Sequence, residues 1–236
     1  MSGGSASDPV AVVIPARNEA DRIQATVTAA IGLPAVALVV VVDDGSRDGT
    51  AAAARRAGAV VIRHARNRGK GAAMETGAEA VRLLDQREDR DRPRHLLFLD
   101  ADLADTAALA GPLIDPVLAG RADMTIAVFA ATVKLGGHGL VVGLSGAGIR
   151  RATGWQPAQP LNGQRCLTRA AFEAARPLAR GWGVETGLTI DLLRKGLRVT
   201  EVEVELAHRA TGTGMRAQLH RAHQLTDVAR ALAARA

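Results

Sequence analysis

Short apolar runs alternate with longer segments of helical spacing along the first part of the chain. Val10–Ile14 and Val36–Val42 are rich in β-branched residues, which is typical of strands buried on both faces. Between them, Glu19–Ile31 places apolar residues at helical spacing, and Gly32-Leu33-Pro34 ends that segment. The order strand, helix, strand predicts two parallel strands joined by a helix.

The same alternation extends through most of the sequence. Further strands are predicted at Ala59–Ile62, Leu96–Leu99, Asp123–Phe129 and Arg198–Val204. Further helices are predicted at Thr50–Ala57, Gly71–Leu84, Thr106–Leu118, Thr168–Ala175, Val184–Lys195 and Met215–Ala234. The pattern therefore predicts an α/β fold with a mostly parallel central sheet and helices on both faces.

Two segments interrupt this pattern. Gln86–Arg94 carries alternating charges and is predicted to be a solvated loop. Lys134–Gly148 interleaves glycine with leucine and valine, which indicates a mobile or loosely helical segment rather than a core element, available for an acceptor.

Composition limits the class of protein. A length of 236 residues suits one domain, predicted at 10–236 after a disordered tail at 1–9. The chain has no apolar stretch of the roughly 18 residues that a membrane-spanning helix needs, and no secretory signal, so we expect a cytoplasmic protein. A single cysteine, Cys166, excludes an internal disulfide and a cysteine-based zinc site. With 2% aromatic residues and no tyrosine, a nucleic-acid stacking surface is not expected.

Charge is concentrated in one place. The net charge is only +6, but Arg63–Lys70 is strongly basic. Such a run is usually a solvated face. Here Gly69 and Gly71 flank Lys70 at a predicted helix start, where free backbone N–H groups favour anions. Lys70 is therefore a candidate for contact with phosphate.

Polar clusters follow several predicted strands. Arg17-Asn18-Glu19, Asp43-Asp44 and Asp100–Asp102 each come directly after a strand. Because ligands of parallel sheets bind beyond the carboxyl ends of the strands, one crevice could gather all three clusters. Asp100 and Asp102 lie one residue apart on a turn and could reach the same hard divalent ion. The alternative is that Asp102 only caps the helix that begins near Asp105.

The order of these motifs resembles the family-two glycosyltransferases with the GT-A fold. The strings that carry the resemblance are Val12–Glu19, Val41–Ser46, Arg66–Gly71 and Asp100-Ala101-Asp102. The resemblance implies that Pro15, Ala16, Arg17, Glu19, Asp43 and Asp44 bind the nucleoside, and that Gly69 and Lys70 approach the base or diphosphate. It also favours Asp100-Ala101-Asp102 as a diphosphate and metal site, with Mg²⁺ or Mn²⁺ assisting departure of the nucleoside diphosphate.

A second resemblance covers the carboxyl-terminal half. Gly183–Leu188 and Ala207-His208-Arg209 are similar to segments of the glucosyl-3-phosphoglycerate synthases, a retaining branch of the same fold. This implies that His208 completes the metal site, that Arg209 covers the phosphate, and that Glu185 lies near acceptor and sugar. Gln159–Gln164 resembles a segment that lines the sugar site there. A lone histidine is more often structural than a ligand, and Glu185 could be an ordinary glutamate at a helix start.

One departure from that branch concerns the acceptor. Its phosphoglycerate-binding loop carries a Gly-Arg-x-Thr string, whereas the counterpart here is Gly139-Leu140-Val141-Val142. Leucine and valine cannot bind a carboxylate or phosphate. We therefore hypothesise that UDP- or GDP-hexose is the sugar donor. The acceptor is then a compound other than phosphoglycerate, either a small molecule or a polyprenyl phosphate. Glu185 could be a general base in an inverting reaction or could orient groups in a retaining one, and the His208-Arg209 similarity favours retention.

Two other activities and two surface roles stay open from the sequence. A sugar-phosphate nucleotidyltransferase would share the sheet, but Pro15–Glu19 lacks its glycine-rich loop. A non-catalytic sugar-nucleotide-binding module is the other alternative. The final helix is basic and could touch an anionic membrane surface peripherally, although its apolar positions favour packing on the domain or a homodimer partner. The basic positions are Arg216, His220, Arg221, His223 and Arg230, and the apolar ones are Leu219, Leu225, Val228 and Leu232.

Overall fold

A computed structural model describes residues 10–129, 139–206 and 215–235 of the chain. The strands are β1 (Val10–Ala16), β2 (Val36–Asp43), β3 (Val60–Arg63), β4 (His95–Phe98), β5 (Met124–Phe129), β6 (Arg165–Leu167) and β7 (Val199–Val204). The α-helices are α1 (Ile23–Ile31), α2 (Thr50–Arg56), α3 (Lys70–Arg87), α4 (Gly111–Leu118), α5 (Gly139–Thr153), α6 (Arg169–Ala174), α7 (Val184–Arg194) and α8 (Met215–Ala233). Short 3-10 helices span Ala104–Ala110 and Gly181–Gly183.

The described strands form one sheet of seven, in the order β3-β2-β1-β4-β6-β5-β7. Pairings β1 with β2, β1 with β4, β2 with β3 and β5 with β7 are parallel. Only β6, inserted between β4 and β5, runs antiparallel to its neighbours. The predicted mostly parallel sheet is therefore confirmed, whereas the sequence pattern gave no sign of the three-residue strand β6.

Helices cover both faces of the sheet because the strands present apolar side chains to both. On one face, Val12 and Ile14 of β1 pack in a cluster with α1, α2 and α4. On the other, Val13 packs in a cluster with α3, α6 and α7. Val10–Ile14 is fully buried, as its uninterrupted apolar sequence requires. Because β1 to β4 run parallel, their carboxyl ends lie at one edge of the sheet.

Several elements differ in extent or type from their predictions, and α1 begins at Ile23 rather than Glu19. Strand β1 continues through Pro15 to Ala16, because Pro15 pairs only with β2, beyond the last pair with β4. Helix α3 continues through Arg87, so the predicted loop at Gln86–Arg94 is shorter. The predicted helix Thr106–Leu118 is a 3-10 helix followed by α4.

From Gly139 onward, the helical alternative predicted for Lys134–Gly148 is confirmed, but the prediction that this segment is not a core element was wrong. Gly139–Thr153 is a regular helix, α5, which buries Val141, Ser145 and Ile149 on one face. Gly148 allows this close packing, since a Cβ there would lie 2.3 Å from a methyl carbon of Leu232. The start of that segment, 134–138, and the predicted tail at 1–9 lie outside the described residues.

Helix α8 lies against α5 and α7, with Val228 fully buried. Packing on the domain is thus seen for this apolar position, while Leu225 keeps 39% of its surface exposed. Within the described ranges, no helix combines the length and apolar character needed to cross a membrane.

Candidate functional site

A basic cleft lies beyond the carboxyl ends of β1, β2 and β3. Its volume is about 730 Å³. Arg17 comes from the turn after β1, Gly45–Arg47 from the loop after β2, and 63–67 from the end of β3 and the loop that follows. Four of the lining residues are arginines and, among the described residues, none is acidic: Arg17, Gly45, Ser46, Arg47, Arg63, His64, Ala65, Arg66 and Asn67. The cleft is therefore suited to an anionic ligand.

Hydrogen bonds hold the loop after β1 against the loop after β2. The Asn18 N–H donates to Ser46 Oγ at 2.9 Å, and the Arg47 N–H donates to Asn18 Oδ1 at 2.9 Å. The Glu19 N–H donates to Thr50 Oγ1 at 2.9 Å. Asn18 adopts a positive φ of 55°, which asparagine tolerates better than most residues. The predicted Pro15–Glu19 turn is thus rigidly placed beside the cleft.

The predicted acidic pair Asp43-Asp44 is buried and engaged by the protein itself. Asp43 accepts the Ser46 N–H at 2.8 Å through Oδ1, and its Oδ2 lies 3.2 Å from Arg63 Nε. Asp44 accepts the N–H groups of Arg68 and Gly69, both at 2.8 Å, and lies 2.7 Å from Nδ1 of His64. These carboxylates fix the loops that form the cleft. Direct contact of either with a nucleoside stays a prediction.

Gly45 is required where the loops after β2 and β3 meet. Its φ is +73°, and a Cβ there would lie 2.7 Å from the carbonyl carbon of Arg66. Both the left-handed conformation and the close approach exclude a larger residue. The loop after β3 then leads through Gly69 into α3, so that Lys70 is the first residue of that helix.

Lys70 forms the centre of a charged cluster at the start of α3. Its Nζ donates to Asp100 Oδ1 at 2.7 Å and lies 2.9 Å from Glu185 Oε1. The Glu185 side chain is 4% exposed, that of Lys70 17% and that of Asp100 27%. Burial by itself would lower the pKa of Lys70, but the charges of Asp100 and Glu185 outweigh burial and raise that pKa. Lys70 is therefore a fixed cation, and three predicted site residues from distant parts of the sequence meet.

Gly163 and Arg165 support this cluster from the segment before α6. A Cβ on Gly163 would lie 2.3 Å from Lys70 Nζ and 3.0 Å from both Asp100 carboxylate oxygens. Arg165 is fully buried and donates to the carbonyl oxygens of Pro160, Asn162 and Glu185. Burial lowers the pKa of Arg165 to about 10, against the opposing effect of nearby carboxylates. Arg165 thus joins the predicted sugar-site segment to the helix that carries Glu185.

The Asp100-Ala101-Asp102 turn is held in place by α1. Thr26 Oγ1 donates to the Ala101 carbonyl at 2.9 Å and accepts the Ala104 N–H at 2.8 Å, while Arg22 donates to the Asp102 carbonyl at 3.2 Å. The 3-10 helix that follows has Leu103 as its N-cap and no side-chain cap. The N-cap position of this helix is therefore occupied by Leu103 and not by Asp102.

The donor set of this turn fits a hard divalent ion. Two carboxylates lie one residue apart, and Asp100 is partly open to solvent. A Mg²⁺ ion needs only one or two protein carboxylates when substrate phosphates and water complete its shell. In the described ranges, no three acidic, histidine or cysteine side chains cluster to form a complete protein site. The predicted third ligand His208, and Arg209 beside it, lie outside the described residues.

Several residues of the site were missed by sequence reasoning. Thr26 sits in a helix pattern where threonine gives no signal of a long-range contact, and Asn18 was noted only as part of a string. Arg165 follows the polar residue Gln164 in a strand that was not predicted, so no sequence signal indicated that this arginine is buried. One crevice was predicted to gather all three polar clusters. In the structure, the turn Asp100–Asp102 does not line the basic cleft and belongs instead to the adjoining charged cluster around Lys70.

The candidate acceptor string Gly139-Leu140-Val141-Val142 is the first turn of α5. Leu140 is 85% exposed and Val141 is buried. Ser145 of the same helix lies 2.7 Å, oxygen to oxygen, from Thr186, the residue after Glu185. The helix thus packs beside the charged cluster, and its first turn offers no side chain able to bind an anion.

Residues 11–139 match the family described as glycosyl transferase family 2. Because this match covers more than half of the chain, the chain belongs to that family. The sheet and the helices that cover it form the GT-A fold. Two curated archaeal proteins are similar in sequence. Glycosyltransferase AglJ of Haloferax volcanii is 30% identical over 87% of this chain and 65% of its own length. The uncharacterized protein MJ1222 of Methanocaldococcus jannaschii is 34% identical over 50% of this chain and 46% of its own length.

Solved structures of glucosyl-3-phosphoglycerate synthase from Mycobacterium tuberculosis are similar in fold. The complex with phosphoglyceric acid has a TM-score of 0.73 and 25% identity, covering 96% of this chain and 79% of that chain. The complex with Mn²⁺, UDP-glucose and glycerol 3-phosphate has a TM-score of 0.72 and 25% identity, with the same coverage. The present chain spans slightly less than two thirds of the length of AglJ and about half that of MJ1222.

Proposed function

We propose that the protein is a metal-dependent glycosyltransferase that moves a hexosyl group, glucosyl or mannosyl, from a UDP- or GDP-sugar to a small-molecule or polyprenyl-phosphate acceptor. One observation carries the proposal. A basic cleft at the strand ends adjoins a buried cluster in which Lys70 meets Asp100 and Glu185. The family membership and the UDP-glucose and Mn²⁺ bound by a similar enzyme support the same donor and metal chemistry.

The residues have distinct roles in this proposal. The turn and loops containing Pro15, Ala16, Arg17 and Glu19 and the pair Asp43-Asp44 form the nucleoside side, and Gly69 and Lys70 the diphosphate side. Asp100 and Asp102, with His208 as a third ligand, would hold Mg²⁺ or Mn²⁺, which when bound neutralises charge on the departing diphosphate. Arg209 would add a further positive charge there. The chain itself contributes Lys70, a permanent cation that contacts Asp100, one of the proposed metal ligands.

Glu185 is assigned an orienting role in a reaction that retains configuration. Its Oε1 already lies 2.9 Å from the Lys70 ammonium, and its backbone carbonyl accepts a hydrogen bond from Arg165. A general base would have to take the acceptor proton on Oε2 beside the Lys70 ammonium, whereas an orienting carboxylate keeps its contacts with Lys70 and Arg165 unchanged. The anomeric configuration of the product, determined by NMR, tests this role, and inversion would contradict it.

The acceptor is proposed to be uncharged, or at least apolar, where it meets α5. The first turn of that helix presents Leu140 to solvent and has no donor side chain for a carboxylate or phosphate. Phosphoglyceric acid is bound by the similar mycobacterial enzyme, so it serves as the reference acceptor. Turnover of 3-phosphoglycerate comparable to that of a polyprenyl phosphate or neutral acceptor would contradict the proposal.

The decisive experiment measures which fragment of the donor is released. In one reaction the protein is incubated with UDP-glucose or GDP-mannose and Mg²⁺ or Mn²⁺, and released nucleoside diphosphate is quantified. In a second reaction it is incubated with nucleoside triphosphate, hexose 1-phosphate and the same metal, and released pyrophosphate is quantified. A transferase releases the diphosphate, whereas release of pyrophosphate from nucleoside triphosphate and sugar phosphate would indicate a nucleotidyltransferase.

Matched variants link this activity to the proposed site. Asp102→Asn should reduce transfer and donor hydrolysis by at least about a hundredfold, because a neutral amide is a weak ligand for a hard ion. Asp105→Asn, an exposed change in the adjacent 3-10 helix, is the control and should retain activity. Binding of donor without any turnover, unchanged by Asp102→Asn, would favour a non-catalytic binding module.

A further inference from the structure

A second cleft, of about 310 Å³, lies away from the basic cleft, which is the proposed site of the sugar donor and is called the donor cleft below. It is lined by the far end of α3, the segment that precedes β4 and the start of α6. Arg82 of this cleft is roughly 18 Å from Lys70 along α3, at the helical rise of about 1.5 Å per residue. The lining residues are Arg82, Asp85, Gln86, Arg90, Pro93, Arg169 and Glu173. None of them is used by the proposed transfer reaction.

Arg169 has an unusual set of contacts in this cleft. The residue is 7% exposed, and its Nη1 donates to the Ala78 carbonyl at 3.1 Å and to Glu173 at 3.4 Å. Its Nε and Nη2 are buried and have no hydrogen-bond partner in the part of the chain that the structure describes. Buried guanidinium N–H groups are normally paired, because an unmet charged donor is costly.

Nε and Nη2 together form the edge of a guanidinium that binds a carboxylate or phosphate with two parallel hydrogen bonds. Other arginines of this chain use that edge in the same way. Arg82 contacts Glu79 through Nε and Nη2 at 2.9 and 2.5 Å, and Arg198 contacts Asp123 at 3.0 and 3.1 Å. The edge of Arg169 thus has the geometry of an oxyanion site.

The charges around Arg169 favour an anion as its partner. The buried carboxylate of Asp85 already accepts two hydrogen bonds from Arg94, one from its backbone N–H at 2.9 Å and one from its side-chain Nη1 at 2.5 Å. Glu173 is shared with Arg176, which it contacts at 3.1 Å. Burial lowers the pKa of Arg169 more than the carboxylates of Glu173, Asp85 and Glu79 raise it, so an anion on the unpaired edge would favour the charged form of the guanidinium.

We propose that this cleft binds a small oxyanion, the phosphate or carboxylate group of a metabolite, on the Nε–Nη2 edge of Arg169. Arg82, whose side chain is 39% exposed, exchanges its contact with Glu79 for the ligand and adds a second positive charge. The ligand replaces the missing hydrogen bonds and neutralises a buried cation. Because the site is separate from the donor cleft, it does not depend on the proposed transfer activity.

Calorimetric titration of the full chain with inorganic phosphate and, separately, with malonate tests the proposal. Gln86→Glu adds a negative charge at an exposed position of the cleft and should weaken binding about fivefold. Gln156→Glu, exposed and outside the cleft, is the matched control and should bind like the unmodified chain. Arg169→Gln, checked for folding by circular dichroism, should weaken binding by at least about tenfold.

The two probes distinguish the ligand classes. Saturable binding of both supports a general oxyanion site, and binding of phosphate alone restricts the site to phosphate compounds. The proposal is overturned if neither probe binds, which would assign the buried N–H groups to ordered water. It is also overturned if Gln86→Glu leaves binding unchanged and only Arg66→Gln, in the donor cleft, reduces it.

Discussion

Replacing Lys70 by methionine should destabilise the protein by about 3 kcal/mol at pH 7. At an effective dielectric constant of about 20, contacts of 2.7 and 2.9 Å each represent an attraction of about 6 kcal/mol, which is largely offset by desolvation of the ions. Removing one partner of a buried pair typically costs about 3–5 kcal/mol, because the other charge stays buried. Asp100 is partly exposed and regains water, so the lower end of that range applies.

A second substitution isolates the origin of this loss. Glu185 is almost fully buried, so in Lys70→Met its carboxylate is left without the ammonium. Adding Glu185→Gln removes that buried charge, and the double variant should be about 1–2 kcal/mol more stable than Lys70→Met alone. Lys195→Met is the matched control, because Lys195 is exposed, and its effect should stay within about 1 kcal/mol.

Urea unfolding followed by the fluorescence of Trp155 and Trp182, with a chelator present to remove divalent ions, measures these differences. The pKa of Lys70 is raised in the folded protein, so its stabilisation is fully present below the unfolded pKa of about 10.4. The stabilisation is lost only as pH rises through the higher folded pKa. The difference between the unmodified chain and Lys70→Met should therefore be constant from about pH 6 to 9. A loss below about 1 kcal/mol, or further destabilisation by Glu185→Gln, would refute this account.

Three further predictions concern neighbouring positions. Gly163→Ala should lower kcat/KM for the donor by about tenfold or more, because the new methyl group would displace Lys70 from Asp100. Gly143→Ala is the control and should be neutral in the same donor assay, because a Cβ there would contact no other atom. Thr26→Val should reduce stability by about 2 kcal/mol and weaken Mn²⁺ binding, measured by unfolding and by metal titration, with exposed Thr28→Val as the control. Burial raises the pKa of Cys166, so the thiol should react with a disulfide reagent at pH 8 only after unfolding.

The parallel part of the fold could be predicted because its signals are local. Val10–Ile14 and Val36–Val42 are short, continuous runs rich in β-branched residues, and the first run and the 39–42 part of the second are buried. The carboxyl ends of parallel strands meet at one edge, so the positions of Arg17, Asp43 and Asp100 followed from strand order alone. Strand β6 was missed because three residues are too few to show a period, and it pairs with neighbours that are distant in sequence.

The meeting of Lys70 with Glu185 could be anticipated only through resemblance. No sequence periodicity relates a residue at the start of α3 to one in the first turn of α7. Their contact depends on close packing, in which a Cβ at Gly71 would lie 2.5 Å from the Ala179 carbonyl oxygen. Helix α5 was predicted to be at most loosely helical and outside the core, because glycine has low helix propensity. Its buried face packs against α7 and α8, and this packing overrides that preference.

The acidic pair Asp43-Asp44 shows how buried carboxylates can help to create a cleft for anions. An exposed aspartate at either position would repel a diphosphate. Both side chains instead turn inward, where Asp43 accepts the Ser46 N–H and Asp44 accepts those of Arg68 and Gly69. The backbone they fix carries Arg47 and Arg66, whose side chains line the cleft. The negative charge is therefore placed beneath the loops and the positive charge on their surface, which favours the approach of an anionic ligand.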